Sequence, residues 1–280
     1  MPEYITVYSS VGPRRLGFTG ALRKLIQQIN THRWHIRQMF NQNFTNAYRF
    51  TRFGVIWNYI LPMVPITVWV LLNGLRLFPS FDNVSSVVYV TLGVTLWFLF
   101  SGCVTLPIAT VESKISEAAR SELPLISFVI AGFAQLSFDT LVRIAATAIV
   151  FIGFHGAPAI TIIATPFVIF FALIFFSGIG LTLAIFNLAY RDINKIVVML
   201  LQYGMLLSAI VFPISRIPVL GQISVFNPFY IFVDSIRTLT VFGELRHPIS
   251  LGLFSLAGIV FFLIACRLFY AGEQRIKGFA

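Results

Sequence analysis

Charge is what this sequence has least of. Asp, Glu, Lys and Arg together make up 11% of 280 residues, less than half the share usual in a soluble domain. A water-facing globule of this size is thereby excluded. Cysteine is nearly absent, with Cys103 and Cys266 both inside apolar stretches, so a disulfide framework or a cysteine metal site is not expected. The four lysines, Lys24, Lys114, Lys195 and Lys277, sit in no GxxxxGK[ST] loop, which removes that route to ATP. His32, His35, His155 and His247 form no HExxH pair, and no GxSxG nucleophile elbow is present. No catalytic, cofactor-binding or metal-ligating set is therefore expected. The first twenty residues lack an apolar core, so no cleavable signal peptide is expected.

Apolar sequence is present in abundance: 58% of residues are hydrophobic and the mean hydropathy is +0.87. It comes in long runs, and a backbone in lipid must satisfy its own hydrogen bonds, so the runs read as helices. Short alternating segments, the mark of a β-barrel, are missing. The expected fold is an all-α polytopic membrane protein with six transmembrane helices. The spans fall at Val55–Leu75, Val87–Ile108, Leu136–Phe154, Pro166–Leu188, Ile196–Pro213 and Leu251–Phe269. The third lies within the apolar run Leu125–Phe154, which is too long for one upright crossing; its first part is expected at the interface.

The net charge of +10 is read as topology rather than as nucleic-acid binding. With the N-terminus inside, fifteen Lys and Arg residues fall on the inner side and four (Arg76, Arg216, Arg237, Arg246) on the outer, with Arg143 inside a span. Both termini are accordingly expected in the cytoplasm, in a bacterial inner membrane. The chain divides into three regions: a flexible cytoplasmic tail at 1–20, an amphipathic interface helix at 21–53 and one transmembrane domain at 54–280. In the second, Leu22, Leu25, Ile26, Ile29, Ile36, Phe40, Phe44 and Tyr48 recur every three or four residues, as one helix or as two broken near Asn30 and Thr31. It serves either as a basic anchor on anionic lipid or as a docking helix for a cytoplasmic partner.

Three further places carry chemistry. Asp139 and Arg143 lie four apart within a span, where each can neutralise the other. The favoured reading is a structural ion pair, the other a role in contacting substrate or carrying a proton. The loop Val111–Pro124 places Glu112, Lys114, Glu117, Arg120 and Glu122 at helical spacing, a short surface helix that is either merely solvated or a seat for a partner. The outer segment from Pro213 to Pro248 is moderately apolar but broken by Pro213, Pro218, Gly221 and Pro228. Re-entrant half-helices suit it, with Val219, Ile223, Phe226 and Phe229 sealing a channel mouth as a gate or covering it as a passive cap. Most of the rings among 30 Phe, 9 Tyr and 4 Trp must pack against lipid and other helices.

The order of these features resembles the membrane subunits of type-2 ABC exporters, and within them the permeases for lipid-linked polysaccharide: capsule, O-antigen or teichoic acid. The resemblance rests on AYRFTRFGVIWNYILP with Tyr48, Arg49, Gly54, Trp57 and Pro62; on SGIGLTLAIFNLAYRDINKI with Arg191 and Asp192; and on FPISRIP and FNPFYIFVDSIR with Asn227, Pro228 and Arg237. It covers Thr31 to the C-terminus. QNFTNA departs from it, lacking the charges that often precede the Tyr-basic pair. The resemblance implies a homodimer on two cytoplasmic ATP-binding subunits that carry ATP and magnesium, with a polysaccharide channel between the protomers. It makes Arg37, Tyr48, Arg49 and Trp57 part of the interface helix, and places Arg191 and Asp192 with the Val111–Pro124 charges in ATPase coupling. An ion-coupled secondary transporter and an ABC permease for a drug or small lipid are the alternatives.

Overall fold

A computed structural model of the chain describes residues 17–46, 56–75, 84–121, 123–211 and 224–278. Among them there is no β-strand, and nine α-helices carry the fold. Two short helices come first, α1 (Phe18–Thr31) and α2 (Arg33–Asn46). They meet at His32, whose ring nitrogen lies 2.9 Å from the Gln28 carbonyl. α1 buries Ala21 and Leu25 against the C-terminal helix and places Phe18 under the Arg267 guanidinium. α2 lies along the middle of the third apolar run, where Phe44 meets Phe138 edge-on at 4.9 Å.

The longer helices are α3 (Trp57–Gly74), α4 (Ser86–Arg120), α5 (Leu125–Phe154), α6 (Thr165–Ala189) and α9 (Pro248–Gly278). Between α6 and α9 come α7 (Asp192–Leu207) and α8 (Pro228–Val241). Four helical stretches are long and apolar enough to cross a membrane: Ser86–Arg120, Leu125–Phe154, Ile160–Ala189 and Pro248–Arg275. The 18-residue α3 and the 16-residue α7 occupy the first and fifth apolar runs. At 1.5 Å per residue they reach about 27 and 24 Å, against a hydrocarbon core of about 30 Å.

Two expectations change. The charged stretch after the second apolar run is not a separate surface helix, because α4 continues through it unbroken to Arg120. The sequence VESKISEAAR contains neither Gly nor Pro, and the helix, about 52 Å long, outruns any bilayer. The third apolar run is likewise one unbroken helix, and its two parts differ in what covers them. Leu125 to Val129 and Ala131 are buried, with α1 and α2 packed on this helix, whereas Leu141, Ile149 and Ile152 lie open.

α4 is the central element, packed against α3, α5, α6, α7 and α8. Its crossing with α6 depends on one residue. A Cβ at Gly180 would collide with the carbonyl oxygen of Cys103 and stand 2.9 Å from that of Val104. Apolar side chains gain little by leaving lipid for protein, so helices in a membrane associate by close packing at small residues. Replacing Gly180 with Leu is expected to force the two backbones apart, and the obstructing atoms are main-chain and cannot rotate away. Gly153, with nothing within 4 Å of its Cβ position, is the control. Thermal unfolding of the purified variants in detergent should show a loss of several degrees for Gly180→Leu and almost none for Gly153→Leu.

Candidate functional site

At the end of the bundle where α4 finishes, the expected coupling residues come together. The carboxylate of Glu112, on α4, accepts from the amide of Asn187 at 3.1 Å and from that of Asn194 at 3.0 Å. Asn187 closes the set by accepting from the Asn194 backbone N–H at 3.0 Å. Asn187 is 1% exposed near the end of α6, and Asn194 lies in the first turn of α7. The turn between them carries Arg191 and Asp192, both exposed. Glu112, itself exposed, therefore acts as a latch on the turn from the surface. Lys114 pairs with Glu117 at 2.7 Å, Asp192 with Lys195 at 3.7 Å, and Arg120 is exposed. Glu122 lies outside the described residues.

A buried carboxylate also holds the same end together. Glu273 on α9 is fully buried and accepts from the backbone N–H of Leu125 at 3.0 Å. A negative side chain at a helix N-terminus meets the unpaired N–H groups there. Sequence reasoning does not reach Asn187, Asn194 or Glu273. A signal exists for Asn187, a lone amide in an apolar helix just ahead of Arg191. Glu273 sits in an ordinary basic tail and gives none.

Asp139 and Arg143 share a face of α5 but do not form the expected contact pair. Asp139 accepts from Gln135 Nε2 at 2.9 Å, and the Arg143 guanidinium lies 4.8 Å from the centre of the Phe98 ring. One turn of helix offers the carboxylate a nearer amide donor, and an aromatic face on α4 takes the cation. Of the interface-helix residues, Arg37 is exposed, Trp57 begins α3, and Tyr48 and Arg49 lie outside the described residues.

At the opposite end, Pro213 and Pro218 lie outside the described residues, so the front of the expected re-entrant segment does too. The rear of that segment, from Ser224 onward, is anchored. Asn227 caps α8 by accepting from the N–H groups of Phe229 (3.0 Å) and Tyr230 (3.4 Å), and its amide donates to Ser208 at 3.0 Å. Pro228 takes the first helical position, where no N–H is needed. Phe229 packs on Trp97 and Phe176 at 4.6 and 4.2 Å, whereas Phe226 is 81% exposed. Ile231 to Thr240 are buried without interruption.

Arg237 belongs to this anchor. It is 2% exposed, lies 3.6 Å over the Tyr89 ring and donates to the carbonyls of Tyr89 and Ala209 at 3.3 and 3.4 Å. The Tyr89 hydroxyl donates to the same Ala209 carbonyl at 3.1 Å. Ala209 stands at φ +52°, a conformation that costs an L-residue about 1–2 kcal/mol. Gly93 makes room, since a Cβ there would come within 2.6 Å of the guanidinium.

The two ends can be tested separately. Glu112→Ala removes the acceptor of two amides and is expected to speed backbone hydrogen exchange across 187–194 about ten-fold, the worth of one charge-assisted bond of about 1.5 kcal/mol. Asp192→Ala breaks only an exposed pair and should leave that exchange within about two-fold. At the other end, Arg237→Leu removes the guanidinium's bonds to two buried carbonyls and its contact with the Tyr89 ring, and should lower stability by about 2 kcal/mol or more. Ala209→Gly relieves the left-handed backbone and should cost nothing measurable. Thermal melts of the two variants check the contrast.

A family model for ABC-2 type transporters matches residues 35–241, from the first turn of α2 to the last residue of α8. No curated protein matches the chain.

Proposed function

The chain belongs to the ABC-2 type transporter family, and on that footing we propose that it is the permease subunit of an ATP-driven exporter of a polysaccharide or its lipid-linked form. Membership of the family implies partnership with ATP-binding subunits, on which ATP hydrolysis takes place. The proposal adds a homodimer in a bacterial inner membrane, with both termini in the cytoplasm and the two permeases seated on two such subunits.

The observation that carries it is an uncovered helix beside a fixed turn. α7 buries only Val197 and leaves Met199, Leu200, Tyr203, Leu206 and Leu207 more than half exposed. Its first turn is held to α4 by Glu112. α3 is similarly open, burying little besides Asn58, Pro62 and Ile66. Two apolar helices so little covered are what a second protomer would cover, and the path between protomers would run along them. A push delivered at the Arg191-Asp192 turn would reach α7 directly. The chain makes six crossings if α3 and α7 span locally thinned lipid.

Polymer class rests on the resemblance in motif order rather than on ring geometry, because the aromatic cluster of Phe100, Phe175, Phe176, Phe229 and Phe232 is spent on packing. The test is genetic and biochemical. Cells lacking the chain are expected to lose surface polysaccharide and accumulate it inside. Purified chain alone should hydrolyse no ATP. In a background without Cys103 and Cys266, Tyr203→Cys should crosslink two copies, and reporter fusions at His155 and Glu244 should read external. Normal surface polymer with new drug sensitivity would move the substrate to a small molecule. An external C-terminus would overturn the topology.

A further inference from the structure

The sequence holds no Asp or Glu between Glu3 and Asp82, and α1 and α2 lie within that stretch. Together they expose Arg23, Lys24, Arg33 and Arg37. Arg267 of α9 is exposed beside them, with its guanidinium 4.9 Å from the centre of the Phe18 ring. Among the described residues, none of these five cations forms an ion pair. The helices beneath offer no compensation. α5 carries one carboxylate, Asp139, which accepts from Gln135, and α9 carries one, Glu273, which is fully buried and accepts from the Leu125 N–H. Like charges gathered without partners repel one another, so a fold that keeps them together points to an anion from outside the chain.

The depth of the two helices is set at both ends. Phe18 meets Arg267 where the last apolar run, Leu251–Phe269, gives out. Phe44 meets Phe138 on α5, just before Leu141, Ile144 and Ile149 face outward as bare apolar surface. Both helices therefore lie where lipid-facing surface begins, the level of the headgroups. Ala21, Leu25 and Ile36 fix them to the bundle, while Phe18, Ile26 and Trp34 stand 43, 48 and 66% exposed among the cations. Basic residues around exposed Trp, Phe and Ile make up a helix that lies in the plane of a membrane interface. Trp suits a site that is apolar on one side and wet on the other.

We propose that α1 and α2 form a platform for anionic lipid headgroups. Phosphates gather at Arg23, Lys24, Arg33, Arg37 and Arg267, and Phe18, Ile26 and Trp34 enter the lipid beside them. The sign of the charge selects this occupant over a protein. The turn that would receive an ATP-binding subunit is of mixed sign, with Lys114 beside Glu117 and Lys195 beside Asp192. The platform is of one sign only, spread over three helices, and a lipid surface supplies many mobile anions across such a spread. The platform holds whichever substrate is exported.

Hydrogen exchange on the full-length chain tests this, in nanodiscs of phosphatidylcholine and in nanodiscs that also contain phosphatidylglycerol. A ligand on the closed state slows local opening. Exchange across 18–46 should be about ten-fold or more slower with phosphatidylglycerol, and that across α6 unchanged. Each cation near an anionic surface is worth about five-fold. Arg23→Gln with Lys24→Gln, or Arg33→Gln with Arg37→Gln, should therefore remove most of the slowing, and high salt all of it. Trp34→Ala should lose part of it. All four cations are exposed, so these variants should melt with the parent chain, which separates lost binding from lost folding. Equal exchange in the two lipids would overturn the proposal, as would a slowing that survives high salt or the Gln substitutions. A slowing that appears only when the ATP-binding subunits are added would give this face to a protein and overturn it as well.

Discussion

Everything in this molecule hangs on how closely α4 and α6 can approach. Lipid tails are as apolar as Leu or Phe, so side-chain burial gives two membrane helices little reason to associate. Gly180 supplies one by letting the backbones come into contact at Cys103 and Val104. Around that crossing Phe100 and Phe176 stack at 5.1 Å, and α3, α5, α7 and α8 are laid against α4. With a bulkier residue at the crossing, the remaining helices would lose the surface they share.

The polar residues then do at the ends what the glycines do in the middle. Glu112, Glu273 and Arg237 each reach from one helix to amide or carbonyl groups on another, distant in sequence. Glu273 and Arg237 are expensive to remove from water, and Glu112 at the surface takes up the buried amide of Asn187. One consequence is directional. The turn between α6 and α7 is tied to α4 through Glu112, so a displacement at the exposed Arg191-Asp192 turn cannot be absorbed locally. It must move α7, the helix with least packing of its own.

The same economy explains the two residues that break it. Arg143 and Asp139 sit within an apolar helix, and a direct pair would have neutralised both. They are instead drawn apart, one to Phe98 and the other to Gln135, and the space beside them is left polar. Arg237 is a buried cation held by two carbonyls and a ring.

The sequence by itself determined the class of protein, the helices and where most of them run, because hydropathy and backbone self-satisfaction are local properties that need no knowledge of neighbours. Read along the sequence, Pro228 is a break; in the fold it opens α8 behind the Asn227 cap. What lay outside its reach was every pairing across the bundle. Nothing in VESKISEAAR says that Glu112 reaches Asn187 and Asn194 while Glu117 pairs with Lys114, and nothing near Glu273 points to Leu125, 148 residues away. The spacing of Asp139 and Arg143 does not say that the Gln135 amide and the Phe98 ring lie beside them, since Phe98 comes from another helix. Spacing along a helix sets which residues can meet; only packing decides which partner each one takes.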